Sequence, residues 1–173
     1  MRFLPLIFSV FLFSCGNTIY IVRHAEKSKP IAGMSAMEAN DPPLTDSGQL
    51  RALALKDELK GKDVRYIFST DYKRTASTAK PLDEYLLSVQ TEYYSAKKDS
   101  MDAFIEKLKS IKKGNVLVVG HSNTIDDLAN KLAGKTAVPG DLKDSEYDNL
   151  FILKRKGGTY LFKNEKFGAP SAK

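Results

Sequence analysis

The chain has 173 residues, 42% of them hydrophobic, with 27 Lys and Arg against 21 Asp and Glu and a formal net charge of +6. That length supplies one compact core. The positive balance favours anionic ligands or surfaces, but the lysines are scattered among acids with no basic block of interleaved aromatics, which argues against nucleic acid. The single cysteine, Cys15, excludes an intramolecular disulfide framework and a Cys-based metal cluster.

The first fifteen residues read as a targeting segment. Met1-Arg2 gives a short positive start, and Phe3 to Phe13 is almost wholly apolar, interrupted by Pro5 and too short to span a bilayer. The segment ends Leu12-Phe13-Ser14-Cys15, which resembles the lipobox of bacterial lipoproteins. The resemblance implies a signal peptide over 1–14, cleavage before Cys15, lipidation of that thiol and a periplasm-facing membrane anchor. The alternatives are an ordinary secretory signal, or an uncleaved apolar start with a buried Cys. Removing residues 1–14 takes away Arg2 and no acid, so +6 becomes +5.

Thr18–Val22 is short and rich in β-branched and aromatic residues, the composition of an interior strand, and it runs straight into Arg23-His24. Ser28 to Leu44 carries Pro30, Gly33, Asn40-Asp41 and Pro42-Pro43 and reads as a long irregular loop, either a lid or a slack insertion. A helix begins near Thr45 or Asp46, with Gln49 in capping-box position after Asp46, stacks Ala52, Leu55 and Leu59, and stops at Gly61. Val64–Phe68 is a second strand. The next helix starts at Ser69-Thr70-Asp71 and reaches about Leu87, with Pro81 as a kink or restart.

A weak strand lies near Gln90–Tyr94. The clearest helix has Ser100 as its cap, one apolar stripe of Met101, Phe104, Ile105, Leu108 and Ile111, and Gly114 at its end. Val116–Val119 is a fully buried strand leading into Gly120-His121-Ser122-Asn123. Ile125, Leu128, Ala129 and Leu132 mark a last helix, closed by Gly134. Leu150–Leu153 and Thr159–Phe162 form strands about the Gly157-Gly158 turn, and the polar tail from Lys163 to Lys173 is expected to fray. No repeat or linker divides the chain, so residues 15–173 are expected to form a single domain. The alternation predicts an α/β fold: a three-layer, doubly wound, mostly parallel sheet with helices on both faces and a C-terminal edge hairpin.

His24 and His121 each follow a predicted central strand, so in a parallel sheet both imidazoles would leave the same edge, where α/β folds keep their ligand crevice. The bland alternative is two unrelated histidines packing at strand ends. Arg74 sits at a third strand–helix junction; taken alone it would be an exposed helix cation beside Lys73. Two guanidiniums, two imidazoles and helix amino termini on one crevice describe a site for a phosphate or phosphoryl group.

The combined pattern resembles the histidine phosphatase (phosphoglycerate-mutase-like) superfamily. It rests on Arg23-His24-Ala25, Leu44-Thr45-Asp46-Ser47-Gly48, Phe68-Ser69-Thr70-Asp71-Tyr72-Lys73-Arg74-Thr75 with Thr78-Ala79, and Val118-Val119-Gly120-His121-Ser122, in the family's order. The compact size, without a large cap insertion, is similar to the phosphohistidine-phosphatase branch. The resemblance implies that His24 accepts the phosphoryl group while Arg23, Arg74 and His121 hold its oxygens, with no metal and no cofactor. It implies a phosphorylated small molecule or a phosphohistidine as substrate. The sequence departs from the family pattern at Ala25, where glycine is usual, and at Ser122-Asn123, where many members carry an acid for the leaving group. Glu26, Glu92 and Asp99 are the acids nearest the required regions, and Glu146 and Asp148 could approach from the last loop. The other readings are a catalytically weak anion-binding lipoprotein on the same fold and a phosphoglycerate-mutase-type phosphotransferase.

Overall fold

A computed structural model describes residues 16–171; the expected signal peptide over 1–14 and Cys15 lie outside the described residues. The elements are β1 Thr18–Arg23, α1 Ala36–Asn40, α2 Asp46–Leu59, β2 Val64–Ser69, α3 Lys73–Leu86, β3 Thr91–Tyr93, α4 Lys98–Ser110, β4 Asn115–Gly120, α5 Ile125–Ala133, β5 Asn149–Lys156 and β6 Thr159–Lys166. One six-stranded sheet runs in the order β3-β2-β4-β1-β5-β6. The first four strands are parallel, and β5 and β6 close the other edge as an antiparallel hairpin. The α/β sandwich and edge hairpin expected from the sequence are therefore what the chain forms.

Alternate residues of the central strands feed the two sides, as a period of two requires. Ile19, Ile21, Val116 and Val118 pack with Phe104, Leu108, Ile125 and Leu128 from α4 and α5. Tyr20, Val22, Leu117 and Val119 pack with Leu55, Leu59, Ala79 and Leu82 from α2 and α3. Burial on both faces explains why β1 and β4 read as continuous apolar runs. Among the described residues no helix is long and apolar enough to cross a membrane.

Several boundaries differ from expectation for local reasons. The 28–44 segment contains a short helix, α1, held by a reciprocal capping box between Ser35 and Glu38. Thr45 caps α2 by accepting the Gly48 N–H, so Gln49 plays no capping part. Ser69-Thr70-Asp71 does not open α3. The helix begins at Lys73, whose N–H donates to Asp41 of the preceding loop, and it runs through Pro81 unbroken. Ser100 lies inside α4 instead of capping it; Lys97 precedes that helix without a side-chain cap, and the helix ends before Gly114.

The tail is the largest correction. β6 extends to Lys166, and Phe167 is 4% exposed within the core. Arg51 Nη1 donates to the carbonyls of Phe167 and Ala169, and Ser171 Oγ accepts the N–H groups of Tyr147 and Asp148. The polar composition of residues 163–171 belongs to an edge strand and a strap tied down by distant partners.

Candidate active site

The carboxyl ends of β1, β2 and β4 adjoin, with Arg23 paired to Gly120 and Ser69 to Val119. The residues that follow those ends therefore share one crevice. His24 donates its backbone N–H to the Gly120 carbonyl at 2.9 Å, which locks the two histidine-bearing junctions together. Gly120 has to be glycine here: a Cβ would press on Ile125 and on the Tyr94 hydroxyl at 2.8 Å. Gly48 is required in the same way. A Cβ there would collide with the Glu26 carbonyl, so its absence lets the first turn of α2 close against the backbone just past His24.

His24 is 3% exposed, and its Nδ1 lies 2.8 Å from the Ala25 carbonyl oxygen. A carbonyl only accepts, so Nδ1 carries the proton and Nε2 keeps its lone pair. Burial, followed by the charges of Arg23, His121 and Arg74, outweighs that hydrogen bond and pulls the imidazole down to about 3. His24 is neutral at physiological pH.

His121 lies 5.5 Å from it between ring centroids. Its Nε2 is 2.9 Å from Thr70 Oγ1, and its Nδ1 faces Arg74 Nη2 at 3.5 Å. Arginine only donates, so Nδ1 is the acceptor and Nε2–H donates to Thr70. Thr70 in turn donates to Thr75 Oγ1, which donates to the carbonyls of Thr70 and Tyr72. This chain of hydroxyls fixes the second tautomer. Burial, then Arg74, Arg23 and Lys27, hold His121 down to about 4, with Asp41 opposing.

Arg23 is 3% exposed and donates Nη1 to the carbonyls of Lys143, Asp144 and Glu146, while its guanidinium lies over the Tyr147 ring at 4.2 Å. Arg74 donates to the Asn40 carbonyl, approaches Asp41 at 3.4 Å and lies over Tyr72 at 4.3 Å. Each guanidinium leaves its Nε–H buried without an acceptor among the described residues. Orphaned charged donors are rare and point to a missing anionic partner.

Two clefts open from this centre. One, of roughly 720 Å³, is lined by Arg23, His24, Lys27, Lys29 and Tyr147; the other, of roughly 690 Å³, by Asp71, Tyr72, Tyr93, Tyr94 and Lys97. Arg74, His121 and Asn123 border both.

The structure brings Arg23, His24, Arg74 and His121 together, with Glu26 beside them. Glu26 spends both carboxylate oxygens on Arg51, at 2.6–2.9 Å. Glu92 lies on β3 and pairs with Lys107 at 2.5 Å, exposed; Asp99 is exposed in the first turn of α4. Neither borders the clefts. Glu146 accepts the Lys143 N–H, and Asp148 pairs with Lys166. Sequence reasoning overlooked Asp41, Tyr147, Thr70 and Arg51. Thr70 lay inside a recognised motif; the other three reach the site through long-range packing that leaves no local signal. Among the described residues no group of three or more His, Cys, Asp or Glu is placed to hold a metal ion.

Residues 19–94 match the sequence profile of the Histidine phosphatase superfamily (branch 1). No curated protein matches the chain. Among solved structures, the chain is similar to a candidate phosphohistidine phosphatase SixA from Agrobacterium tumefaciens, at 19% identity over 89% of this chain and 99% of that one, with a TM-score of 0.64. It is also similar to a mycobacterial glucosyl-3-phosphoglycerate phosphatase (14% identity, 90% and 100% covered, TM-score 0.63) and a Bacillus anthracis phosphoglycerate mutase (18%, 88% and 93%, 0.60). At such identities these likenesses speak for the fold. The profile spans the junctions carrying Arg23, His24 and Arg74, so over residues 19–94 the chain is similar to the histidine phosphatase superfamily, and its fold is that of these solved structures.

Proposed function

We propose that the protein is a metal-independent phosphohydrolase in which His24 is transiently phosphorylated, and that it acts from a lipid anchor on Cys15. The observation that carries the chemistry is the pair of buried, unpaired Nε–H donors on Arg23 and Arg74 flanking a neutral imidazole. An oxyanion ligand would fill that deficit.

In the first step the Nε2 lone pair of His24 attacks phosphorus and the bond to the leaving group breaks. The ring becomes cationic, and its Nδ1–H is already held by the Ala25 carbonyl, which stabilises that charge. Arg23, Arg74 and the His121 neighbourhood stabilise the three equatorial oxygens, which is most of what phosphoryl transfer requires. In the second step water attacks phosphorus, the P–N bond breaks, and inorganic phosphate leaves with His24 neutral again.

Glu26, the acid nearest His24 in sequence, is committed to Arg51, and Asp144, the other carboxylate lining this cleft, is fully exposed beside Arg23, so no buried acid is poised for the leaving group among the described residues. That favours substrates whose leaving group departs without strong acid assistance, such as a phosphohistidine or an acyl phosphate. The two clefts on either side of His121 give water ready access, which favours hydrolysis over a mutase that must shield its intermediate.

The test uses the full chain in detergent. Hydrolysis of a generic phosphomonoester and of phosphohistidine should fall to background in His24→Ala, and acid-labile, base-stable label should accumulate on the native protein only. Equal rates from the two proteins would end the proposal.

A further inference from the structure

The crevice occupies one end of the sheet, where β1, β2 and β4 finish. The opposite end carries the α2–β2, α4–β4 and β5–β6 connections together with the C-termini of α3 and α5. Those connections carry Lys60, Lys62, Lys112, Lys113, Lys135 and Lys156, all exposed; Lys60 and Lys62 pair with Asp57 and Glu58 at the end of α2, and Asp63 pairs with Arg65. Lys112, Lys113 and Lys156 have no carboxylate partner among the described residues. Arg155 completes the set while tying the end together: its Nη1 donates to the carbonyls of Lys109 and Ile111 at the end of α4. Leu87 stands on the same end, 92% exposed at a φ of 55°, so that an apolar side chain is displayed at the terminus of α3.

The chain enters the fold here. Asn17 accepts the Arg155 N–H at 2.9 Å, and Gly16 lies so close to the Arg155 carbonyl that a Cβ would collide with it. Only Gly16 and Asn17 separate Cys15 from β1, a reach of roughly 7 Å even when extended. Any surface that holds Cys15 thus lies within about one Debye length of this end.

From this geometry we infer that the lysine-bearing end opposite the crevice is a docking surface for anionic phospholipid head groups, against which the domain stands with its catalytic crevice facing away. The inference rests on the anchor reading above. Two features fit this occupant. The cations are spread over a broad face instead of a groove, as suits a surface potential. Leu87 among them is placed to enter the head-group layer, as apolar residues of interfacial segments do. A hydrated bilayer so docked leaves both clefts open to solution.

The experiment places the full chain in vesicles of phosphatidylcholine alone or mixed with phosphatidylglycerol and reads amine-reactive labelling of each lysine by mass spectrometry. Labelling of Lys112, Lys113 and Lys156 is expected to fall several-fold in the anionic vesicles and to recover at high salt, while Lys27 and Lys29 in the crevice label equally in both. Lys112→Glu/Lys113→Glu/Lys156→Glu should remove the lipid dependence at Lys60 and Lys62 without changing phosphatase turnover. Equal labelling at this end in both vesicles, with the chain firmly bound, overturns the docking surface and leaves the anchor standing. Protection of Lys27 and Lys29 overturns the orientation. A chain that stays in the supernatant overturns the anchor and the docking surface with it, and turnover in the same samples reports on catalysis separately.

Discussion

The two ends of the sheet both present positive charge, in opposite physical settings. At the crevice, Arg23 and His24 are 3% exposed, and the guanidiniums of Arg23 and Arg74 are held by carbonyls, aromatic rings and a carboxylate. At the far end the lysines are exposed, and Lys112, Lys113, Lys135 and Lys156 have no carboxylate partner among the described residues. A buried charge acts strongly over a few ångströms and is little screened by salt; an exposed one acts weakly, at longer range, and is lost as ionic strength rises. Acids differ too. Asp41, Asp71, Asp126, Asp144, Glu146 and Asp148 lie on the crevice side, where they offset its cations. A few desolvated groups suffice to bind one phosphoryl group, whereas attraction to an extended surface needs many solvated ones.

The largest break in that comparison comes from the crevice arginines. Arg74→Ala should lower kcat/KM by about 10²- to 10³-fold, as removal of one preorganised donor does elsewhere. Arg23→Ala should do as much and also destabilise the fold, because three loop carbonyls lose a buried donor. Lys156→Glu at the other end should leave turnover unchanged. Steady-state kinetics on the three variants checks this, and a comparable loss in Lys156→Glu would erase the distinction between the ends.

Next in size is the Glu26–Arg51 pair, which joins the crevice to the C-terminal strap. Arg51 is 4% exposed and bonds Glu26, Phe167 and Ala169. Arg51→Met should cost about 3 kcal/mol in urea denaturation, since it strands a partly buried carboxylate and two carbonyls. Glu26→Gln should cost less, about 1–2 kcal/mol, and should retain turnover of phosphohistidine. Preserved stability with abolished turnover in Glu26→Gln would make Glu26 the acid and not an anchor.

These residues also mark how far the sequence could be read. The β1 and β4 runs, the Gly120-His121 junction and the apolar stripe of α4 are local patterns, and each stands where its pattern put it. The junction motifs placed Arg23, His24, Arg74 and His121 on adjoining strand ends because a parallel sheet turns equivalent sequence positions into neighbours. What was not legible depends on contacts between distant segments. Asp41 caps α3 from 32 residues away, Arg51 reaches the strap across 116 residues, and Tyr147 stacks on Arg23 from an irregular loop. Residues 163–171 read as a polar end because the partners that order them lie elsewhere in the chain. Helix caps failed in the same way: Ser100 had the right chemistry, but α4 could start one turn earlier.

The smallest predicted effect concerns pH, and it separates the two ends by titration. His24 in the folded protein titrates at about 3 and His121 at about 4, against about 6.5 in an unfolded chain. The unfolded state therefore takes up protons first as pH falls. The contribution of the neutral histidines to stability is complete above about pH 6.5 and is lost progressively below it, at up to about 1.4 kcal/mol per pH unit for each histidine. Carboxylates enter later: Asp148, held at about 2 by Lys166 and Ser171 against the opposing effect of burial, matters only below its unfolded value of about 4. Urea midpoints between about pH 6 and pH 5, in a buffer free of phosphate, should thus fall with a slope that His24→Asn roughly halves and that Lys112→Glu/Lys113→Glu/Lys156→Glu leaves alone. Inorganic phosphate should flatten the same slope, because a bound oxyanion favours the protonated rings that folding otherwise penalises. A slope unchanged in His24→Asn would mean that the crevice does not hold its imidazole neutral, and the nucleophile would have to be sought elsewhere.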